Sequence, residues 1–190
     1  MFIFASGKRK KKQRMNHIYL SDIKKGTPGI TPVEGANLYE NCVVALHNCG
    51  HPSTVTLYVS GDKNCEYSLL WENAFNEQLR RTYNDEQSVT ERAAVAISVL
   101  LALRQTNYTI IERSRKGTGF DYMLGDSQDQ LFIPKARLEV SGIMHETKGN
   151  TCEQRFRQKA EQTVKSDATR LPAYISVVEF ATPRAIFNMK

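Results

Sequence analysis

The chain has 190 residues, 41% of them hydrophobic and 24% charged, and carries a formal net charge of +6. That length supports one domain with a real core and an added subdomain, and the composition excludes wholesale disorder. The 26 basic residues exceed the 20 acidic ones by six, and six basic residues stand together at Lys8, Arg9, Lys10, Lys11, Lys12 and Arg14, so the remaining body is nominally neutral.

Residues 1–14 form a basic tail without an acid. Clustered charge of this kind attracts nucleic acid, an anionic membrane or an import receptor without reading sequence, and it equally describes a solvated arm. Met15 follows directly, so the run reads either as native or as an extension upstream of a second start. The apolar residues Met1 to Ala5 are too few for a signal peptide and precede the charge rather than follow it. Ala93 to Leu103, the longest apolar stretch, falls short of the roughly 20 residues needed to cross a bilayer. No membrane span and a cytoplasmic location are the expectations.

Residues 15–35 read as an arm or linker, because Lys24-Lys25-Gly26-Thr27-Pro28-Gly29 and Pro32 interrupt any regular helix. From Ala36 to Cys49 apolar residues recur at helical spacing, and Gly50 with Pro52 stops the helix. This segment holds Cys42, His47 and Cys49, with His51 and Cys65 downstream, which leaves two readings. One is a zinc site; the other is a set of reduced, packed cysteines, since no CxxC occurs and Cys42 and Cys49 share a helix face. Thr54–Val59 and Cys65–Leu70, joined by Gly61-Asp62-Lys63-Asn64, predict a hairpin. Trp71, Ala74, Phe75, Leu79 and Tyr83 predict an amphipathic helix over 71–83. Residues 36–87 thus read as an N-terminal helix-hairpin-helix subdomain.

Residues 88–190 read as an α/β core with a mixed central sheet flanked by helices. Ser88-Val89-Thr90-Glu91 offers a capping box for a helix to about Leu103 that is apolar nearly all round and therefore buried. Tyr108–Glu112 and Phe120–Leu124 predict strands about the turn Arg115–Gly119. A polar loop from Gly125 to Pro134 carries Asp126 and Asp129. The strand Ala136–Ile143 places Arg137, Glu139 and Ser141 on one face and Leu138 and Val140 on the other. Thr151-Cys152-Glu153-Gln154 caps a helix with the stripe Phe156, Ala160, Thr163 and Val164, ended by Leu171-Pro172. Ala173–Phe180 is the continuous apolar run of a central strand.

Several chemistries are discounted. Gly117-Thr118-Gly119 leads into a strand and lacks the helix N-terminus that cradles a phosphate, and no Walker A signature occurs. His145-Glu146 lacks a second histidine four residues after the first. Cys152 has no local signature of a nucleophile. What remains is the order helix, strand, strand, strand, helix, strand, with Asp121 on the second strand and Glu139-Val140-Ser141 on the third.

That order and carboxylate placement resemble the PD-(D/E)xK nuclease-like superfamily over residues 88–180. The resemblance implies a restriction-endonuclease-like core in which Asp121 and Glu139 bind a divalent metal, magnesium or manganese, and a phosphodiester of DNA or RNA is cleaved. Ser141 stands where the superfamily has its lysine and brings no positive charge. In some members the lysine moves to the next helix. Taking Phe156 as the inward direction at about 100° per residue, Lys159 lies about 60° to one side while Lys165 points outward. Gln158 and Gln162 fall on the polar side. Lys159 is the substitute, or else a long side chain flanking the stripe. Glu91 fits the extra acid of some members, or the cap. The alternative to an enzyme is an adaptor or assembly subunit whose residues 36–83 meet a protein partner or a second copy, with Glu139 paired to Arg137 or Arg113.

Overall fold

Short β-branched and aromatic runs build eight strands among the described residues, and all eight hydrogen-bond into one mixed sheet. The computed structural model describes residues 16–72, 74–126, 128 and 131–190. The basic tail of residues 1–14, Met15 and Asp129 lie outside them. The strands are β1 (Asn16–Tyr19), β2 (Thr54–Gly61), β3 (Cys65–Leu70), β4 (Tyr108–Arg113), β5 (Tyr122–Asp126), β6 (Pro134–Ile143), β7 (Ala173–Glu179) and β8 (Arg184–Met189), in the spatial order β1-β3-β2-β8-β7-β6-β5-β4. β6 and β7 run parallel, as do β2 with β8 and β1 with β3; the other neighbours are antiparallel.

Side-chain alternation sorts the sheet into two faces. Leu138 and Val140 of β6, Val178 of β7, and Ala185 and Phe187 of β8 join the larger core under the helices α1 (Pro32–Asn48) and α3 (Glu86–Gln105). Ile143, Ile175 and Val177 face the opposite way and meet Phe156 and Ala160 of α4 (Cys152–Gln162). The apolar character of α3 follows from its place, since it is packed between the sheet and α1. Its one fully buried hydroxyl, Ser98, is matched by Ser176 of β7 at 2.7 Å. α4 opens with the predicted capping box: Thr151 Oγ1 accepts from Gln154 N, and the Gln154 side chain accepts from Thr151 N.

Several expectations change, beginning with Pro32, which opens α1 (Pro32–Asn48) at its first position rather than interrupting it, so that helix starts before Ala36. α3 begins at Glu86 rather than at Ser88, because the Asp85 carboxylate accepts from Gln87 N at 3.1 Å and caps it first. Glu91, freed of capping, accepts from the Gln87 side chain at 3.1 Å. The helix over 71–83 contracts to α2 (Glu77–Thr82), since Asn76 caps Gln78 and Leu79 and Trp71 N is already committed to Ser53 O. β8 has no counterpart among the predicted strands.

Residues 16–31 are no loose arm: Ile18, Leu20, Ile23 and Ile30 are buried, β1 pairs with β3, and a 3-10 helix spans Leu20–Lys25. The Gly-Pro-Gly chemistry does make a turn, closed between Thr27 and Ile30. Gly29 N then donates to Ile110 O at 2.9 Å, covering part of the edge of β4. A Cβ at Gly29 would stand 2.6 Å from Glu112 N, so only glycine permits that approach. The predicted hairpin is β2–β3, and it enters the common sheet through β8.

Candidate functional site

β5 and β6 pair only as far as Tyr122 with Leu138, beyond which β6 continues against β7 alone. The ladder opens at Asp121. Its backbone N donates to Leu138 O at 2.9 Å, and its carboxylate Oδ2 then accepts the next β6 donor, Val140 N, at 2.8 Å. A side chain thus takes the place of the missing strand, and a forked opening is left between the two elements. The fork contains a cavity of about 750 Å³ whose lining includes Asp121, Ser141, Arg113, Arg155 and Lys159, with Glu91 from α3.

Glu139 stands directly behind this opening. It faces the α4 side, as the strand alternation predicts, and is 1% exposed. Lys159 Nζ donates to Glu139 Oε1 at 2.6 Å, and Gln162 Nε2 donates to the same oxygen at 2.9 Å. Lys159 Nζ also reaches Gln162 Oε1 at 3.2 Å. The second carboxylate oxygen, Oε2, is buried with no hydrogen-bond partner. Burial, followed by the neighbouring Asp121 charge, pushes the Glu139 carboxyl up to about 7, with Lys159 pulling the other way. The Asp–Glu pair is therefore a place where two carboxyl groups are held close, the second charge is resisted and one lysine favours it.

The structure brings all four sequence-chosen residues to this fork. Asp121 ends one prong, Glu139 and Ser141 alternate along the other, and Lys159 descends from α4. Ser141 Oγ accepts from Arg155 Nη1 at 3.3 Å, so the position without a lysine is next to a guanidinium. The proposed pairing of Glu139 with Arg137 is overturned. Arg137 is buried over the 3-10 helix Thr163–Thr169, where it donates to Thr163 O, Ser166 Oγ, Asp167 Oδ1 and Leu171 O. Arg113 does not pair with Glu139 either; it lines the cavity.

Gln162 is the residue that helical projection missed. The projection puts it on the polar side, but it ends α4 one turn after Lys159, and its long amide folds back to Glu139. Spacing of three from Lys159 is the available signal. Arg157, by contrast, is exposed.

Other candidates fall elsewhere. His47 stacks on Phe75 with ring centroids 3.5 Å apart, His51 Nε2 meets Phe180 O at 2.7 Å, and Cys65 Sγ accepts from Gln105 Nε2 at 3.2 Å. Cys42 is fully buried, and burial drives its thiol far above the usual range. Among the described residues no group of three or more His, Cys, Asp or Glu side chains gathers to hold a metal, which disperses the cysteine–histidine set. Burial pushes the Cys152 thiol up to about 12, the wrong direction for a nucleophile. Glu146 accepts from Cys152 N at 2.5 Å and pairs with Arg184, so it anchors the start of α4.

The fork offers two carboxylates, and among the described residues no third His, Cys, Asp or Glu joins them in a metal-holding group. Magnesium is commonly held by one or two carboxylates, with waters and substrate phosphate oxygens filling its other positions. Asp121 and Glu139 would be those carboxylates, Asp121 from the cavity wall and Glu139 from behind it, where its Oε2 is buried without a hydrogen-bond partner. No family model, characterised protein or solved structure matches the chain. Among the described residues, no helix is long and apolar enough to cross a membrane.

Proposed function

We propose that the chain is a metal-dependent phosphodiesterase acting on DNA or RNA, with a divergent PD-(D/E)xK-like, restriction-endonuclease-like core. The observation that carries this reading is the contact of Lys159 Nζ with Glu139 Oε1 at 2.6 Å. It supplies from α4 the positive charge that Ser141 cannot, beside the carboxylate that requires it.

Asp121 and Glu139 would hold the cation, magnesium or manganese. When bound, that ion polarises the phosphate and lowers the cost of forming hydroxide from water. Asp121 is oriented by Val140 N, which donates to its Oδ2. Lys159, tethered to Glu139 and Gln162, is placed to position water and to offset charge that develops on the phosphate. Arg155, held by Asn150 and Ser141, adds a second cation on the same wall of the cavity. Glu91 lines the opposite, α3 side.

The test is incubation of the protein with single- and double-stranded DNA and RNA in magnesium, manganese or chelator, alongside Asp121→Ala, Glu139→Ala and Lys159→Gln. Metal-dependent cleavage is expected for wild type, with a loss of at least about 100-fold in each variant. Absence of cleavage together with no magnesium-induced thermal shift overturns the proposal and leaves the adaptor reading, in which the acidic pair is structural.

A further inference from the structure

A second cavity, of about 610 Å³, adjoins the first and shares two lining residues with it, Arg113 and Asp121. Its other walls include Arg115 and Lys116 of the β4–β5 turn and Lys165 beyond α4. Arg115, Lys116 and Lys165 are exposed, and none of them forms a salt bridge or a side-chain hydrogen bond among the described residues. The body of the protein is nominally neutral, so three uncompensated cations in one recess beside a carboxylate fork are a local excess rather than a share of a basic surface.

The turn that carries Arg115 and Lys116 is held in place, and Lys165 stands on the 3-10 helix Thr163–Thr169 beside it. Ser114 N donates to Asp121 O at 2.7 Å, Thr118 Oγ1 bonds to Arg115 O at 3.0 Å and to Phe120 O at 3.1 Å, and Ser114 and Thr118 share a short hydroxyl contact. Gly119, at φ +88, lets the turn lie against Gln162: a Cβ there would stand 2.7 Å from Gln162 O. Gln162 also bonds Glu139, so one residue joins the turn to the acidic pair. Arg115 and Lys116 are thus on a fixed support, at a fixed bearing from Asp121, and open to solvent.

We propose that this recess is a backbone-phosphate groove, in which Arg115, Lys116 and Lys165 grip a nucleic-acid strand alongside the phosphate lying at Asp121 and Glu139. This rests on the phosphodiesterase reading for the direction of the strand, and it adds which side of the fork the strand occupies. Contacts of this type position a strand without reading its bases, so affinity depends on salt and hardly on sequence.

The experiment measures binding of a labelled single-stranded oligonucleotide by fluorescence anisotropy, in chelator so that cleavage is absent, over a salt series. Wild type is compared with Arg115→Gln/Lys116→Gln and with a control of equal charge change on α2, Arg80→Gln/Arg81→Gln. Loss of two phosphate contacts lowers the slope of log affinity against log salt by about 1.4, at about 0.7 per contact on a single strand. The control should leave the slope at the wild-type value. An unchanged slope in the turn variant, or an equal fall in the control, overturns the groove. A mononucleotide that competes as well as the oligonucleotide also overturns it, because it makes the recess a small-ligand pocket. Metal-dependent cleavage that persists with an unaltered slope refutes the groove alone, whereas a lowered slope without cleavage in any metal refutes the phosphodiesterase alone.

Discussion

Glu139 concentrates the physics of the site in one side chain. Its carboxyl is pushed up to about 7 by burial and by Asp121, from an ordinary value of 4.5. The folded chain therefore holds a proton that the unfolded chain releases between those two values. The stability this contributes is fully present below about pH 4.5 and is lost as pH rises through about 7, at a limiting slope of about 1.4 kcal/mol per pH unit. In chelator, urea unfolding of wild type minus that of Glu139→Gln should fall across this window. A flat difference would remove the charge-repulsion account of the pair. Magnesium should recover the loss in wild type at high pH and do nothing for the variant. The meeting of these side chains was legible only in part: strand alternation puts Glu139 and Ser141 on one face, and the turn of the helix brings Lys159 towards them, whereas Asp121, expected on a strand over Phe120–Leu124, stands just before β5 (Tyr122–Asp126). Gln162 was not legible, because a rigid helical projection ignores the reach of a side chain at a helix end.

At the scale of elements, the fork depends on how closely α3 lies over β6. A Cβ at Gly142 would stand 2.4 Å from Thr90 O, a backbone atom that cannot swing away. Gly142→Ala should force α3 outward, destabilise the fold by about 1–3 kcal/mol in urea titration and reduce cleavage with it. Stability equal to wild type would show that the approach is looser. Sequence revealed this region unevenly. Alternation in 136–143 and the apolar run in 173–180 expose their strands directly, because each has a buried face to declare. The segment Leu20–Ile30 declared only its turn: Lys24, Lys25 and two glycines masked Leu20, Ile23 and Ile30, whose burial arises from partners distant in the chain. β8 was hidden for a related reason. Its Arg184 and Asn188 make a weak strand pattern, and its pairing with β2 and β7 is fixed by tertiary context.

Viewed whole, the sheet is one body whose halves meet at a single strand. β8 is hydrogen-bonded to β2 on one side and to β7 on the other, so the hairpin β2–β3 and its neighbour β1 reach the rest of the sheet through it. Deleting residues 184–190 should therefore strip hydrogen-exchange protection from β2 and β3 as well as from the truncated end. The amides of β5 and β6 around the fork should lose less, since they pair with each other and with β7. Protection retained in β2–β3 would mean that α1 alone anchors the hairpin.

The same arrangement sets an order of events on the ribosome. β8 is the last of the eight strands to be synthesised, yet it is an interior strand, with three strands on one side and four on the other. A nascent chain bearing everything up to β7 still exposes two unsatisfied strand edges, one on β2 and one on β7, and these are templates for pairing with other chains. The final strand thus acts as a keystone: until it emerges, the hairpin and the strands carrying the candidate site are separate pieces with sticky margins, and its arrival closes both at once.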